Sequence, residues 1–199
     1  MLFIDSQGLV CAGRITVRRF TNIERQTLDK INGIVVHQTG GSTAQSTFNS
    51  YGHHGANGAH FLIDKDGKIY QTASLFKTTN HVGKVRSRCY MEKTCTAAEL
   101  ARVGLLLNQY SALHNLEKRK PYPERYPTNL DSLAIEVVGK PVTGQGEKAI
   151  YETVNDAQNA SLRWLINELL NTLNLSKSSI FKHPEISYKL KSEASTAEW

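Results

Sequence analysis

Residues 34–41, IVVHQTGG, decide the fold of this chain. Three β-branched residues lead into His37, and the Thr-Gly-Gly that follows is typical of a buried strand that stops at a loop. Ser42 or Thr43 can cap a short helix directly after that loop. Because open sheets bind ligands where their strands end, His37 is a candidate for the functional site.

A β-hairpin follows this strand. The apolar runs 60–63 (HFLI) and 68–71 (KIYQ) flank residues 64–67, DKDG, and an Asp-Gly step between apolar runs predicts a tight turn. A further apolar run at 133–139 predicts another buried strand. The chain therefore carries at least four predicted strands.

Two helices have recognisable N-terminal caps. Thr96 and Glu99 form a capping box, and the apolar residues behind them predict a helix that runs to about Glu117. Asn155 caps a longer helix whose apolar stripe predicts packing on the sheet. The stripe consists of Leu162, Leu165, Ile166, Leu169, Leu170 and Leu173. Strands and helices in this order predict a mixed α/β (α+β) fold, a central mixed β-sheet flanked by helices.

Composition limits the class of protein. The 199 residues are 40% hydrophobic, which predicts one globular domain over residues 1–199, with residues 1–30 as an irregular extension leading into the core. No apolar run approaches the roughly 18 residues of a membrane span, so we expect no integral membrane protein. The first residues, MLFIDSQGLV, lack the pattern of a secretory signal peptide. A net charge of +6 favours an anionic partner, such as nucleic acid, an anionic lipid surface or a bacterial wall polymer.

The three cysteines leave two alternatives open. An odd number argues against a disulfide scaffold. Cys89 and Cys95 could nevertheless pair in an oxidising compartment, since five intervening residues make a feasible loop.

His37, His183 and Glu193 together could form a catalytic zinc site. Such a site takes three protein ligands and keeps a fourth position for water, and these three residues satisfy that count if the fold brings them together. Glu136 is the only charged residue in its apolar strand, and a buried carboxylate is costly unless it is paired or coordinates a metal. On an edge strand, alternation could instead turn Glu136 to solvent.

Five segments, taken in order, resemble those of a known family. They are IVVHQT (34–39), GAHFLIDKDGKIYQT (58–72), NHVG (80–83), SLAIEVVG (132–139) and HPEISYKLKSE (183–193). As a set they resemble the zinc-dependent N-acetylmuramoyl-L-alanine amidases, which share a fold with the peptidoglycan-recognition proteins.

The resemblance implies roles for particular residues. His37 and His183 resemble the first two zinc ligands, and Glu193 lies where the family has an aspartate or a nearby cysteine. Glu136 matches the catalytic glutamate, and Lys191 matches the lysine that stabilises the tetrahedral intermediate.

Two further histidines are candidates. His81 is an alternative third ligand, although its segment resembles a wall on the substrate side. His60 begins a hairpin strand and could bind substrate, support the metal site from behind, or be structural. We therefore expect His60 and His81 on the substrate side of the site.

The expected reaction is zinc-dependent hydrolysis of the amide bond between N-acetylmuramic acid and L-alanine in peptidoglycan or muropeptides. The alternative is a module of the same fold that binds peptidoglycan without cutting it. A nucleic-acid-binding protein is a weaker alternative, because the basic clusters match no recognisable nucleic-acid motif. Without a signal peptide, we expect one of two sites of action. A phage-lysis system or a type VI secretion apparatus could deliver the enzyme to the periplasm, where it would act as an antibacterial effector and could have an immunity protein as a partner. Alternatively, the enzyme could act on recycled wall fragments in the cytoplasm.

Overall fold

A six-stranded mixed sheet forms the centre of the protein in this computed structural model, which describes the backbone of residues 1–199 and every side chain except that of residue 147. The strands are β1 (Phe3–Ile4), β2 (Val10–Cys11), β3 (Ile15–Val17), β4 (Glu24–Thr27), β5 (Gly33–Gln38), β6 (Phe61–Ile63), β7 (Ile69–Gln71), β8 (Lys77–Thr79), β9 (Ser132–Val137), β10 (Pro141–Thr143), β11 (Ile150–Tyr151) and β12 (Ile180–Lys182). The helices are α1 (Ala44–Tyr51), α2 (Arg88–Glu92), α3 (Ala97–Gly104), α4 (Tyr110–Glu117), α5 (Asp156–Leu173) and α6 (His183–Ile186).

The strand order is β12-β5-β9-β6-β7-β3. The first four of these strands run parallel to their neighbours, β6 and β7 form an antiparallel pair, and β3 adds parallel to β7. This arrangement confirms the predicted mixed sheet flanked by helices. In the register of β5 with β9, His37 lies directly beside Glu136.

Both faces of the sheet are covered, so β5 is buried at all six positions. The apolar stripe of α5 packs with Ile34, Val36 and other side chains of one face. On the opposite face, Leu62 packs with Ala44 and Phe48 of α1. Burial of each large aliphatic side chain contributes about 1.5 to 3 kcal/mol, which explains why the central strands are nearly all apolar.

Several local predictions agree with the structure. The β6–β7 pair closes the predicted hairpin. Thr43 caps α1, and the capping boxes of Thr96 and Asn155 are present at α3 and α5. Glu136 lies on an inner strand, so the edge-strand alternative is wrong.

The predicted helix from Thr96 to Glu117 is in fact two helices, α3 and α4. The apolar pattern suggested one stripe, but two of its members are exposed, Leu100 by 50% and Tyr110 by 47%. Val103 is buried in α3 and Leu113 in α4, so each helix packs separately. Gly104 ends α3, where its backbone freedom weakens a continuous helix.

The first thirty residues, expected to be irregular, contain four short strands. β3 extends the central sheet, and β1 and β2 form a small hairpin. The buried side chain of Gln71 fixes this segment, because it accepts from the Val10 amide at 2.7 Å and donates to the Gly8 carbonyl at 2.8 Å.

A disulfide joins Cys89 and Cys95, so of the two alternatives the paired one is present. Among the helices that the structure describes, none is both long enough and apolar enough to cross a lipid bilayer.

Candidate active site

The functional side chains meet where β5 and β9 end. An open cavity of about 800 Å³ lies there, and His37, Glu136, His183 and Glu193 all line it. Adjacent parallel strands end at the same edge of the sheet, which explains why His37 and Glu136 are neighbours. His183 begins α6 directly after β12, the strand on the other side of β5.

Three potential ligand atoms converge on the floor of this cavity. Nδ1 of His37 lies 2.8 Å from Nδ1 of His183. Oε1 of Glu193 lies 3.0 Å from Nδ1 of His183 and 3.5 Å from Nδ1 of His37. All three residues are buried.

Hydrogen bonding fixes the proton of His183. Its Nε2 lies 2.9 Å from the carbonyl oxygen of Val82, so Nε2 carries a proton and donates it. In the neutral form that a metal ligand requires, this is the only proton of the ring, and Nδ1 of His183 then faces the other two residues as a bare acceptor.

A chain of three hydrogen bonds fixes the proton of His37. The hydroxyl of Ser132 donates its hydrogen to the Thr128 carbonyl at 2.6 Å, so Ser132 accepts from Nε2 of His81 at 3.2 Å. Nδ1 of His81 is then bare and accepts from Nε2 of His37, also at 3.2 Å. Nδ1 of His37 is consequently bare as well.

The pKa values of His37 and Glu193 favour a neutral ring and an ionised carboxylate at neutral pH. Burial, together with the nearby His183, lowers the pKa of His37 to about 4, so this ring is neutral. Burial acts to raise the pKa of Glu193, but the contacts with His183 and His37 outweigh it and lower that pKa to about 2. At neutral pH the site thus presents the neutral imidazole of His37 and the carboxylate of Glu193 beside Nδ1 of His183.

This donor set suits a zinc ion. When Nδ1 of both imidazoles is unprotonated, the three acceptor atoms lie within 3.5 Å of one another and repel unless a cation lies among them. Two imidazole nitrogens and one carboxylate oxygen form a typical ligand set of catalytic zinc sites, which keep a position open for water. His37, His183 and Glu193 would hold the ion.

Glu136 lies beside these residues with a partner of its own. The Tyr51 hydroxyl donates to Oε2 of Glu136 and accepts from the Ala59 amide at 3.2 Å. Burial raises the pKa of Glu136 to about 7, although the hydrogen bond from Tyr51 opposes this rise. A carboxyl group with such a pKa can exchange a proton near neutral pH.

The lysine at the cavity is Lys189. Lys191, which matched the family's lysine, is exposed and lies outside the lining of the cavity that the structure describes.

The structure gives His60 and His81 different surroundings. His60 is fully buried, donates to the Lys77 carbonyl at 2.8 Å and accepts from the Ala134 amide at 3.0 Å. Both ring nitrogens are therefore used by the backbone, which leaves none for a substrate. His81 lines the cavity, but its nitrogens contact His37 and Ser132, so it orients the ring of His37.

Sequence reasoning missed Tyr51, Ser132 and Lys189. Tyr51 matched the apolar face of a short helix, which gave no sign of a carboxylate partner. Ser132 precedes an apolar strand and carried no motif. Lys189 and Lys191 are so close in sequence that spacing could not show which of them lies at the cavity.

Known proteins resemble this chain in sequence pattern and in fold. The family model described as N-acetylmuramoyl-L-alanine amidase matches residues 27–196. No curated protein is significantly similar to this chain in sequence. Among solved structures, the N-acetylmuramoyl-L-alanine amidase LysC from Clostridium intestinale URNW superposes with a TM-score of 0.52 at 17% identity, over 89% of this chain and 87% of LysC.

Two further solved structures share the fold. A selenomethionine derivative of AmpD gives a TM-score of 0.53 at 18% identity, over 92% of this chain and 87% of AmpD. PlyL gives a TM-score of 0.53 at 14% identity, over 88% of this chain and 84% of PlyL. Because one family model spans most of the sequence, the chain belongs to the N-acetylmuramoyl-L-alanine amidase family.

Proposed function

We propose that this protein hydrolyses the amide bond between N-acetylmuramic acid and the L-alanine of the peptidoglycan stem peptide, with one zinc ion as cofactor. The observation that carries the proposal is the convergence of three potential ligand atoms, from His37, His183 and Glu193, beside Glu136 in an open cavity. Membership of the amidase family supports peptidoglycan as the substrate.

Glu136 is the proposed proton carrier. A zinc ion, when bound, supplies Lewis acidity that activates water near neutral pH and polarises the scissile carbonyl. The Tyr51 hydroxyl occupies Oε2 of Glu136, so Oε1 is the atom left to take a proton from water and pass it to the departing amine.

Lys189 is the proposed stabiliser of the negative charge that develops on the carbonyl oxygen. Lys189 lines the same cavity as the three ligands. One well-placed donor at such a position is worth about 3 to 4 kcal/mol in the transition state.

Glu136→Gln tests the proposed chemistry. The substitution keeps the size of the side chain but removes its ability to carry a proton, so we expect zinc content to stay unchanged and hydrolysis to fall by about 10² to 10⁴-fold. Peptide release from muropeptides, followed by mass spectrometry, measures this. Glu124→Gln, which changes an exposed carboxylate, is the matched control. Near-normal turnover in Glu136→Gln would remove this residue from the mechanism.

The same assay separates the enzyme from a peptidoglycan-binding module. A wild-type protein that binds muropeptides, takes up zinc and releases no peptide would support the module. Cleavage at the bond to L-alanine supports the amidase.

The proposed site of action is the periplasm, reached as a delivered antibacterial or lysis protein. The Cys89–Cys95 disulfide supports this, because disulfides persist in oxidising compartments. Expression directed to the periplasm of a test bacterium should be toxic, and Glu136→Gln should abolish the toxicity. Harmless periplasmic expression, with toxicity or turnover confined to cytoplasmic muropeptides, would contradict it.

A further inference from the structure

The strongest inference beyond the proposed chemistry concerns Gln38, the residue that follows the first ligand. Its side chain is 5% exposed. Oε1 accepts from the Ala194 amide at 2.8 Å, and Nε2 donates to the Glu152 carbonyl at 2.9 Å. One buried amide thus joins β5 to two segments that lie far from it in sequence.

The first of these segments carries Glu193. Ala194, the next residue, has φ 52°, the left-handed region in which a residue with a Cβ is strained by about 1 to 2 kcal/mol. Ala194 is fully buried, and its amide is the group that Gln38 holds. The backbone on which Glu193 is mounted therefore keeps a strained conformation that contacts from outside the turn must maintain.

The second segment leads out of the β10–β11 hairpin, whose last residue, Tyr151, lines the cavity. The hydroxyl of Ser192 also reaches this hairpin, because it donates to the Ala149 carbonyl at 2.8 Å. The ligand turn and the hairpin are thus connected at two points, and Gln38 is the buried one.

The backbone around Gln38 leaves room for this arrangement. A Cβ at Gly139 would lie 2.3 Å from Nε2 of Gln38, a distance at which one of the two groups must move. Glycine at 139 thus permits the amide to reach Glu152, and the end of β9 is shaped around the side chain of Gln38.

We propose that Gln38 is a positioning residue for the third metal ligand: by holding the Ala194 amide, it places the Glu193 carboxylate opposite His37 and His183 and connects the ligand turn to the hairpin wall of the cavity. Both polar ends of the Gln38 amide are used by these two backbone groups, so Gln38 acts on the metal site through Glu193. The inference rests on the proposed zinc site and adds the residue that prearranges it.

Gln38→Met is the direct test, because methionine has a similar volume but neither bonds Ala194 nor donates to Glu152. We expect zinc affinity, measured by competition with a chromophoric chelator, to fall about tenfold or more, the range seen when supporting contacts behind metal ligands are removed. The visible spectrum of the Co²⁺-substituted protein should change, and the Ala194 amide of the metal-free protein should exchange with solvent faster.

Gln158→Met is the matched control. Gln158 is 2% exposed and also uses both ends of its amide, donating to the Val138 carbonyl and accepting from the Asn155 amide, but it does not contact the ligand turn. This control should lower thermal stability, while zinc affinity and the Co²⁺ spectrum stay within about twofold of wild type. Equal losses of affinity in the two variants would overturn the proposal.

Gln38→Glu keeps the test valid if Gln38→Met does not fold. Glutamate retains an acceptor for the Ala194 amide, so slow exchange of that amide and much of the zinc affinity should return. If the Ala194 amide of the Gln38→Glu variant exchanges as fast as an amide in a fully exposed turn, the proposal is overturned. If wild-type protein binds no zinc, the proposed function fails; if it binds zinc and Gln38→Met binds it equally well, only the role of Gln38 fails.

Discussion

Tyr51→Phe removes one oxygen atom and separates two effects of the Tyr51 hydroxyl. The ring, which packs edge-on against Phe20 at 5.7 Å, stays in place. Glu136 loses the hydrogen bond that stabilises its ionised form, and the Ala59 amide loses its acceptor. We therefore expect one effect on the titration of Glu136 and another on stability.

The magnitudes follow from these contacts. A hydrogen bond to a charged group contributes about 1.5 to 3 kcal/mol, and about 1.4 kcal/mol corresponds to one pH unit. The pKa of Glu136, already raised to about 7 by burial, should rise further, because the hydroxyl that opposed the rise is gone. The acid limb of the kcat/KM profile should move up by about one pH unit, and an unpaired Ala59 amide should cost about 1 to 3 kcal/mol of stability.

The assay is kcat/KM on a muropeptide between pH 5 and pH 9, with zinc content measured at each end. Below the acid limb, Tyr51→Phe should be about tenfold slower than wild type, and above it the two proteins should approach each other. Tyr126→Phe, in a buried tyrosine that packs on Phe181, is the control and should not move the limb. A uniform loss at every pH, or no change, would refute the assignment of Tyr51 to Glu136.

The remaining predictions concern three other parts of the chain. Lys189→Ala should lower kcat/KM by about 10² to 10³-fold, whereas Lys191→Ala should leave it within about twofold; the reverse order would restore Lys191 to the reaction. Burial lowers the pKa of His60 from 6.5 to about 4, so protonation favours the unfolded chain as pH falls through that window and costs up to about 3 kcal/mol. The His60→Gln side chain can still supply one donor and one acceptor. Between pH 7 and pH 4, the metal-free variant should therefore lose less thermal stability than the metal-free wild type. An equal loss in wild type and variant would contradict this. Ala194 has a positive φ, so Ala194→Val should lower the free energy of unfolding by about 2 kcal/mol or more, whereas Ala194→Gly should change it by less than about 1 kcal/mol. Urea unfolding measures both values. Similar losses in the two variants would argue against a strained turn.

Local signals predicted much of the fold. Some features depend only on residues that are neighbours in the sequence, so they could be predicted. They are the buried strand before His37, the turn at residues 64–67 and the cap at Asn155. The break between α3 and α4 depends on which apolar side chains find a partner, and periodicity does not contain that information. The strands within the first thirty residues depend on Gln71, a distant side chain, and local sequence gave no sign of them.

The residues of the candidate site also differ in whether a local signal marks them. His37 and His183 are separated by 146 positions, so only a family resemblance, and not spacing, could suggest that they meet. Glu136 stood out as a lone charge in an apolar strand. Tyr51, Ser132 and Gln38 act through hydrogen bonds to partners from other segments, and nothing in their own surroundings in the sequence marks them. His60 had the right residue type but faces the backbone of the core.

Zinc binding by metal-free wild-type protein and by Glu193→Ala, measured by calorimetric titration, tests the central claim most directly. The arrangement of ligands predicts one zinc ion per wild-type chain and an affinity more than about 100-fold weaker in Glu193→Ala, since the loss of a direct ligand exceeds the loss of a supporting contact. A wild-type chain without stoichiometric zinc, or equal affinity in the two proteins, would contradict it.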